Sequence, residues 1–167
     1  MVVDVEADGP IPGDYSMIAL GACTLDRKHT FVDYIKPISE QWVPEALAVS
    51  GFSREQTLLF NDPYAIMGQF NRWIRSTGDA PYVFYADNNG FDWQFVNWYF
   101  HHFRGSNPFG FSSRNINDIF HGLRKDMRAS FKRLRKTAHD HNPLNDAIGN
   151  AEALEAMIER YGLKGKF

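Results

Sequence analysis

Three short segments rich in β-branched and apolar residues occupy the first 36 positions, before any helical pattern appears. They cover residues 1–5, 16–25 and 30–36, and a Gly- and Pro-containing loop and a short turn separate them. Segments of this length and spacing predict an antiparallel meander of three strands. Because an early sheet must bury one of its faces, the remainder of the chain is expected to supply helices that pack on it.

Helical patterns alternate with one further strand in the remainder of the chain. Asp62 and Asn142 are each followed by Pro, and an N-cap residue followed by Pro at the first helical position indicates a helix start. Predicted helices cover residues 44–49, 53–59, 62–77, 91–103, 115–127 and 142–161, with a strand over 81–86. We therefore predict one α/β domain spanning residues 1–167, with a mixed sheet flanked by helices.

The composition is that of an ordinary globular domain, with 44% hydrophobic and 23% charged residues. No apolar run approaches the roughly 20 residues that a membrane helix needs, and the acidic Asp4 and Glu6 argue against a leader segment. The single cysteine, Cys23, excludes an internal disulfide and Cys-based zinc sites. We expect a cytoplasmic protein without a membrane partner.

Asp4 and Glu6 lie two positions apart on the first predicted strand, so both side chains project from the same face of the sheet. Paired carboxylates on an apolar strand repel each other unless cations neutralise them, and hard oxygen ligands favour Mg²⁺ or Mn²⁺. A strand end with two solvated acids is the alternative, because this pair alone is a weak signal.

Two later segments also combine acids with helix starts. Asp92 falls in the first turn of a predicted helix, directly after the polar loop 87–90, at the carboxyl end of a strand where α/β folds bind ligands. Its position also suits simple helix capping. Near the end of the chain, His141 lies just before a helix and Asp146 lies in its first turn, which suits a base beside a metal ligand. His139 is an alternative base, and a plain surface role is open to both histidines.

The order and spacing of these three motifs resemble the DEDDh subgroup of the DnaQ-like 3′–5′ exonucleases. The first motif reads DVEADG from Asp4, the second NNGFD from Asn88, and the third HNPLND from His141. The intervening segments MIALGA (residues 17–22) and AVSG (residues 48–51) also resemble the family, so the similarity spans nearly the whole chain. It implies a ribonuclease H-like fold in which three antiparallel strands are followed by parallel strands.

The resemblance also implies roles for individual residues. Asp4, Glu6, Asp92 and Asp146 would hold two Mg²⁺ or Mn²⁺ ions, and His141 would activate the attacking water, with Glu6 as a second catalytic residue. The backbone of Ala7, Asp8 and Gly9 would face the 3′-terminal nucleotide, and Asn88 would support the site. Asp87 departs from the family pattern by adding a fifth acid.

A basic segment over residues 124–136 contains seven Lys or Arg residues and one acid, so the remainder of the chain carries a net charge of −8. We interpret Arg128, Lys132, Arg133 and Arg135 as contacts to substrate phosphates, with a solvated helix face or a flexible loop as the alternative.

The expected function is a 3′–5′ exonuclease acting on single-stranded RNA or DNA ends, with RNA favoured by similarity to small stand-alone members such as oligoribonuclease and RNase T. The alternatives are a nucleic-acid-binding module without catalysis and a proofreading subunit on the same fold. The aromatic residues after Asp92, among them Trp93, Trp98 and Phe100, suggest core packing or a homodimer interface, with stacking on nucleic-acid bases as the alternative.

Overall fold

A five-stranded sheet forms the centre of the computed structural model, which describes residues 1–165. Its strands are β1 (Val2–Ala7), β2 (Met17–Cys23), β3 (Thr30–Tyr34), β4 (Phe84–Ala86) and β5 (Ser113–Asn115). The spatial order is β3-β2-β1-β4-β5. β1, β2 and β3 pair antiparallel, whereas β4 runs parallel to β1 and β5 parallel to β4. The predicted mixed sheet of three antiparallel strands followed by parallel strands is confirmed.

Six helices surround this sheet in the described part of the chain. They are α1 (Pro44–Val49), α2 (Arg54–Thr57), α3 (Pro63–Ser76), α4 (Asn89–Arg104), α5 (Ile116–Arg124) and α6 (Pro143–Tyr161), with one 3₁₀ turn at Lys132–Leu134. The predicted N-caps of α3 and α6 are confirmed. The Asp62 side chain accepts a hydrogen bond from the amide of Ala65, and the Asn142 side chain accepts from the amides of Leu144 and Asn145. Within residues 1–165, no helix is both long enough and apolar enough to cross a membrane.

The two faces of β1 bury different helices. Val3 and Val5 pack with α3 and α4 in one core cluster, whereas Val2 packs with α5 and α6 in a second cluster on the opposite face. Asp4 and Glu6 alternate with these valines. The two acids therefore lie on the face that carries α6, beyond the point where Val2 is covered.

Gly21 on β2 fixes the approach of α6 to the sheet. A methyl group at this position would overlap the backbone of Pro143, the first residue of α6. The missing side chain lets the N-terminal turn of α6 lie directly on β2, one strand away from Asp4, whose cross-strand partner is Gly21. This close approach places Asp146 beside the acids of β1.

Several boundaries differ from the predictions; β4, for example, begins at Phe84 rather than at residue 81. β5 was not predicted, because its sequence Ser-Arg-Asn is polar and has no apolar alternation. α5 ends at Arg124 rather than near residue 127, because Lys125 adopts a left-handed conformation with φ 51°. α4 begins at Asn89, two residues earlier than expected, and its first turn therefore includes part of the polar loop.

The aromatic residues of α4 pack against the protein itself. Phe100 is fully buried, the Trp93 ring contacts Phe84 edge to face, and Trp98 stacks on His102 while packing against the core. None of the large exposed hydrophobic side chains among residues 1–165 lies on α4. Core packing is therefore the correct interpretation of these aromatics, and they no longer support a homodimer, which stays a prediction.

Candidate active site

Asp4 and Glu6 project from the carboxyl half of β1. Asp4 is 8% exposed, and the Glu6 side chain is 12% exposed. The strand continues to Ala7, beyond the predicted end at residue 5, so both acids sit on regular β-structure with side chains on one face. A rigid strand fixes their separation, which a loop would not do.

Asp92 reaches the same strand from the first turn of α4. β1 pairs with β4 only at Val2 and Tyr85. Farther along β1, the amide of Val5 donates to Asp92 Oδ1 at 3.0 Å. Asp92 thus takes the place of a strand partner where β1 and β4 separate, and this bond together with the helix N-terminus holds a buried carboxylate beside Asp4.

Asp146 lies in the first turn of α6 and is fully buried. Its Oδ1 accepts from Arg135 Nη2 at 2.7 Å and lies 2.8 Å from His139 Nδ1. Ligand atoms of Asp4, Glu6 and Asp146 lie within 4.8 Å of one another. The fold therefore brings together the carboxylates of the first and third motifs, and Asp92 of the second motif lines the same cleft as Asp4 and Glu6.

The donor set fits divalent cations. Asp92 Oδ2 and Asp146 Oδ2 are both buried and have no hydrogen-bond partner among residues 1–165, although buried polar atoms in native proteins are nearly always satisfied. Two unsatisfied carboxylate oxygens beside the buried Asp4 and the partly buried Glu6 are a costly arrangement without cations and a suitable one with them. Asp4, Glu6, Asp92 and Asp146 are the residues that would hold the ions.

Both histidines of the third motif reach the site. His141 Nδ1 lies 3.8 Å from Glu6 Oε1, and the rings of His139 and His141 are 4.4 Å apart. Nearly half of each side chain is exposed to solvent. His141 has φ 59°, a left-handed conformation that non-glycine residues rarely adopt outside turns and functional sites. The structure therefore supports either ring as a base that opens onto solvent.

An open cleft of about 230 Å³ contains these groups. Its lining comprises Asp4, Val5, Glu6, Asp87, Asn88, Phe91, Asp92, His139 and His141. Residues from all three sequence motifs thus share one cavity. Val5 and Phe91 are the lining residues that sequence reasoning did not select, because an apolar residue on a strand or at a helix start gives no signal that distinguishes it from core.

Burial and mutual repulsion raise the pKa values of the site carboxyls. Desolvation is the largest cause of the raised pKa of Asp4, followed by the charges of Asp92, Asp146 and Asp87. The pKa of Asp92 is raised by desolvation and then by the charge of Asp87. For Glu6, desolvation and then Asp146 raise the pKa to about 7. Asp87, the extra acid, therefore acts on the site rather than pointing away from it.

The raised pKa of Glu6 predicts that the metal-free protein loses stability as pH rises from about 4.5, the ordinary value, to about 7. The folded state binds the proton more tightly than the unfolded state, so deprotonation above the ordinary value disfavours folding. At roughly 1.4 kcal/mol per pKa unit, the effect of Glu6 is at most about 3.5 kcal/mol. Thermal unfolding in chelator should show it, and Glu6→Gln should make the melting temperature less dependent on pH. An unchanged slope in that variant would contradict the assignment.

The residues after Glu6 correct one part of the substrate-site prediction. The Asp8 carboxylate is buried, accepts from the amide of Ser16 at 2.6 Å and pairs with Arg54 at 2.8 Å. Its backbone amide and carbonyl bond to Ser16 and Val43. Asp8 therefore joins neighbouring segments and is not free for nucleotide. Ala7 and Gly9 are also buried, and contact of their backbone with nucleotide stays a prediction.

The basic segment divides into two parts. Arg128, Lys132 and Arg133 are exposed, as a phosphate-binding role requires. The Arg135 side chain is only 5% exposed and is paired with Asp146, so the prediction that it contacts substrate phosphate is wrong for this arrangement. The segment is also not a loose loop, because Phe131 is fully buried and the amides of Lys136 and Thr137 donate to Glu152.

Carboxylates from three sequence motifs meet beside β1, the central strand of this mixed sheet. This fold and site define the class of the protein as an exonuclease of the ribonuclease H-like fold. No protein-family model matches the chain. A curated relative, the 3′-5′ DNA exonuclease Cap18 of Escherichia coli, is 39% identical over an alignment of 178 positions. The alignment covers 98% of this chain and 93% of the relative. The chain therefore belongs to the family of this enzyme, the DEDDh subgroup of the DnaQ-like exonucleases, and is a metal-dependent 3′–5′ exonuclease.

Solved structures agree with this fold. The nuclease domain of 3′hExo, a DEDDh family member bound to rAMP, superimposes with a TM-score of 0.74 at 16% identity over 95% of this chain and 90% of that chain. Cell-death related nuclease 4 gives 0.75 at 16% identity. The zinc-bound complex of E. coli ExoI with single-stranded DNA gives 0.76 at 15% identity. This chain spans 63% of the second protein and 40% of the third.

Proposed function

We propose that this protein removes nucleotides from the 3′ ends of single-stranded DNA, using two Mg²⁺ or Mn²⁺ ions and releasing nucleoside 5′-monophosphates. The observation that carries the proposal is that Asp4, Glu6, Asp92 and His141 line one cleft, while ligand atoms of Asp4, Glu6 and Asp146 lie within 4.8 Å of one another. The name of the 39% identical relative supports DNA. It weighs against the preference for RNA that the similarity to small stand-alone exonucleases suggested.

In this proposal, Asp4, Glu6, Asp92 and Asp146 would hold the divalent ions, which would supply a water molecule of lowered pKa and stabilisation of the charge on the attacking and leaving oxygens. His141 Nδ1 or Nε2 takes the proton as the water oxygen bonds to phosphorus. The bond from phosphorus to the 3′ oxygen of the preceding nucleotide breaks, which leaves the phosphate on the 5′ carbon of the released nucleotide. The open side of the cleft admits a single strand, whose terminal sugar would contact Phe91 and Asn88.

A degradation assay on matched oligonucleotides tests this proposal. Single-stranded DNA and RNA of one sequence, blunt duplex, and duplex with a 3′ overhang should be 5′-labelled and incubated with Mg²⁺, Mn²⁺ or chelator. We expect single-stranded DNA and the overhang to shorten stepwise from the 3′ end, and we expect no products in chelator. A strand carrying a 3′-terminal phosphorothioate linkage is the matched control, because its shortening should be delayed.

The other outcomes separate the alternatives. Faster degradation of RNA than of DNA would overturn the assignment of DNA. Tight binding without shortening in either metal would support a nucleic-acid-binding module instead. Recovery of a polymerase with the protein, together with preference for mismatched primer ends, would support a proofreading subunit.

The exposed basic side chains of residues 124–136 would extend the path of the bound DNA strand away from the cleft. Arg124 and Arg133 line one shallow hollow, and Arg128 is 95% exposed. The chain then runs from Lys132–Leu134 to His139 at the cleft. Because Phe131 anchors the segment in the core, these cations are displayed on a fixed surface rather than on a mobile arm. A fixed basic surface beside the site suits the phosphates of a bound strand.

A triple variant in which Gln replaces Arg128, Lys132 and Arg133 is expected to have a higher KM for long single-stranded DNA. Its rate at saturating substrate should be nearly unchanged. Each lost phosphate contact lowers the slope of log affinity against log salt by about 0.7 for a single strand. Fluorescence anisotropy across a salt series measures this slope. The matched control replaces Arg72, Arg75 and Arg114, which lie outside the segment, and should leave the slope as in wild type. An unaltered slope in the first variant would contradict the proposed path.

A further inference from the structure

Arg135 differs from every other basic residue of its segment because its guanidinium lies inside the protein. It is 5% exposed and contacts three acceptors: Asp146 Oδ1 at 2.7 Å, the Asp146 carbonyl at 3.4 Å and Asn150 Oδ1 at 3.3 Å. Asn150 is itself fully buried. The side chain is therefore held on one turn of α6 by both the metal-site acid and its neighbour.

The sequence of α6 leaves space for this guanidinium. Gly149 lies between Asp146 and Asn150, and a methyl group there would overlap the guanidinium of Arg135. In the interior of a helix, Gly costs up to about 1 kcal/mol relative to Ala, so its presence calls for a packing reason. The passage of Arg135 across α6 provides that reason.

Arg135 is also distinct in its relation to the four carboxylates. Within residues 1–165, it is the sole Lys or Arg whose ion pair reaches Asp4, Glu6, Asp92 or Asp146. It binds Oδ1 of Asp146 and leaves Oδ2 buried without a partner. Arg135 thus fixes Oδ1 of Asp146, and Oδ2 stays available to a ligand.

We propose that Arg135 is a positioning residue that orients the Asp146 carboxylate for cation binding, and that Gly149 is its required partner on α6. This inference rests on the proposed function only to the extent that the four carboxylates hold divalent ions. Groups behind a metal ligand fix its orientation, and their loss typically weakens metal affinity by roughly 10- to 100-fold.

Cation binding without substrate provides the main test. Titration of the metal-free protein with Mn²⁺, followed by calorimetry or by electron paramagnetic resonance, should show affinity about 10- to 100-fold weaker in Arg135→Met than in wild type. Removing a positive charge would by itself strengthen cation binding. Weaker binding therefore reports orientation, whereas unchanged or tighter binding in a folded Arg135→Met variant overturns the proposal.

Further variants separate orientation from folding and from substrate binding. Arg135→Lys keeps a donor and should recover part of the lost affinity. Gly149→Ala retains Arg135 but blocks its path, so it should also weaken Mn²⁺ binding, with circular dichroism confirming the fold. Arg133→Met is the contrasting variant, which should weaken oligonucleotide binding and leave Mn²⁺ affinity as in wild type.

Steady-state kinetics add a second readout. At saturating Mn²⁺, Arg135→Met should lower kcat while the KM for a single-stranded oligonucleotide stays within about twofold of wild type, as expected when transition-state interactions alone are lost. A raised KM with normal Mn²⁺ affinity would make Arg135 a phosphate contact and overturn the proposal. If wild type binds Mn²⁺ but degrades no nucleic acid, the proposed function fails while the titrations still decide the role of Arg135.

Discussion

Replacing Asp4 with Asn is expected to reduce nucleotide release by roughly 10³-fold or more, because metal-ion stabilisation of the reaction is worth several kcal/mol. Asp4 is the acid on which the site converges. A carboxylate oxygen of Asp4 lies within 4.8 Å of carboxylate oxygens of Glu6 and Asp146. The charges of Asp92 and Asp87 raise the pKa of Asp4 further. A neutral amide in its place keeps the shape of the side chain but removes one negative charge from the centre of the set.

The same substitution should raise the stability of the metal-free protein. Asp4 is buried among like charges and has no basic partner in the described part of the chain, so its ionised form is costly in the absence of cations. Melting temperatures of wild type and Asp4→Asn should therefore differ most in chelator above pH about 7, where Glu6 is also ionised. Loss of activity with a gain in stability distinguishes a ligand from a structural residue.

Asp14→Asn is the matched control, since it removes the same charge from an exposed residue outside the cleft. It should leave both the rate and the melting temperature close to wild type. Activity retained within about tenfold in Asp4→Asn would contradict its assignment as a metal ligand, because that corresponds to only about 1.4 kcal/mol of transition-state stabilisation.

Replacing His141 with Asn is expected to lower kcat by about 10²- to 10⁴-fold, the usual contribution of a general base. Asn is the appropriate substitute because it tolerates the left-handed backbone that His141 adopts at φ 59°. Mn²⁺ affinity should stay close to wild type, since the four carboxylates are intact. The loss should also be larger near neutral pH than in alkaline buffer, where hydroxide replaces part of the function of the base.

His139→Asn is the comparison that decides between the two rings. His139 Nδ1 lies 2.8 Å from Asp146 Oδ1, so in this arrangement the ring is placed beside a carboxylate. An ion pair with a ring that is 43% exposed is worth at most about 1 kcal/mol, which limits the expected loss to less than roughly tenfold. A larger loss in His139→Asn than in His141→Asn would transfer the role of base to His139.

The local signals in the sequence were sufficient where a short segment determines its own structure. The cap at Asn142 and Pro143 fixed the start of α6, and the two-residue spacing of Asp4 and Glu6 fixed their common face. β5 escaped prediction because its pairing with β4, and not its polar sequence, makes it a strand.

The sequence by itself determined the order of β1 to β4 and of the helices, the identity of the acids and the family resemblance. These follow from propensity, capping and spacing, which act over a few residues. Only the tertiary structure decided which charges meet. Gly21 admits α6 close to β1, Asp92 bonds to Val5 where β4 turns away, and Gly149 admits Arg135 behind Asp146. Burial converts a basic residue that looks suited to phosphate into the partner of a carboxylate, and burial depends on packing between distant segments.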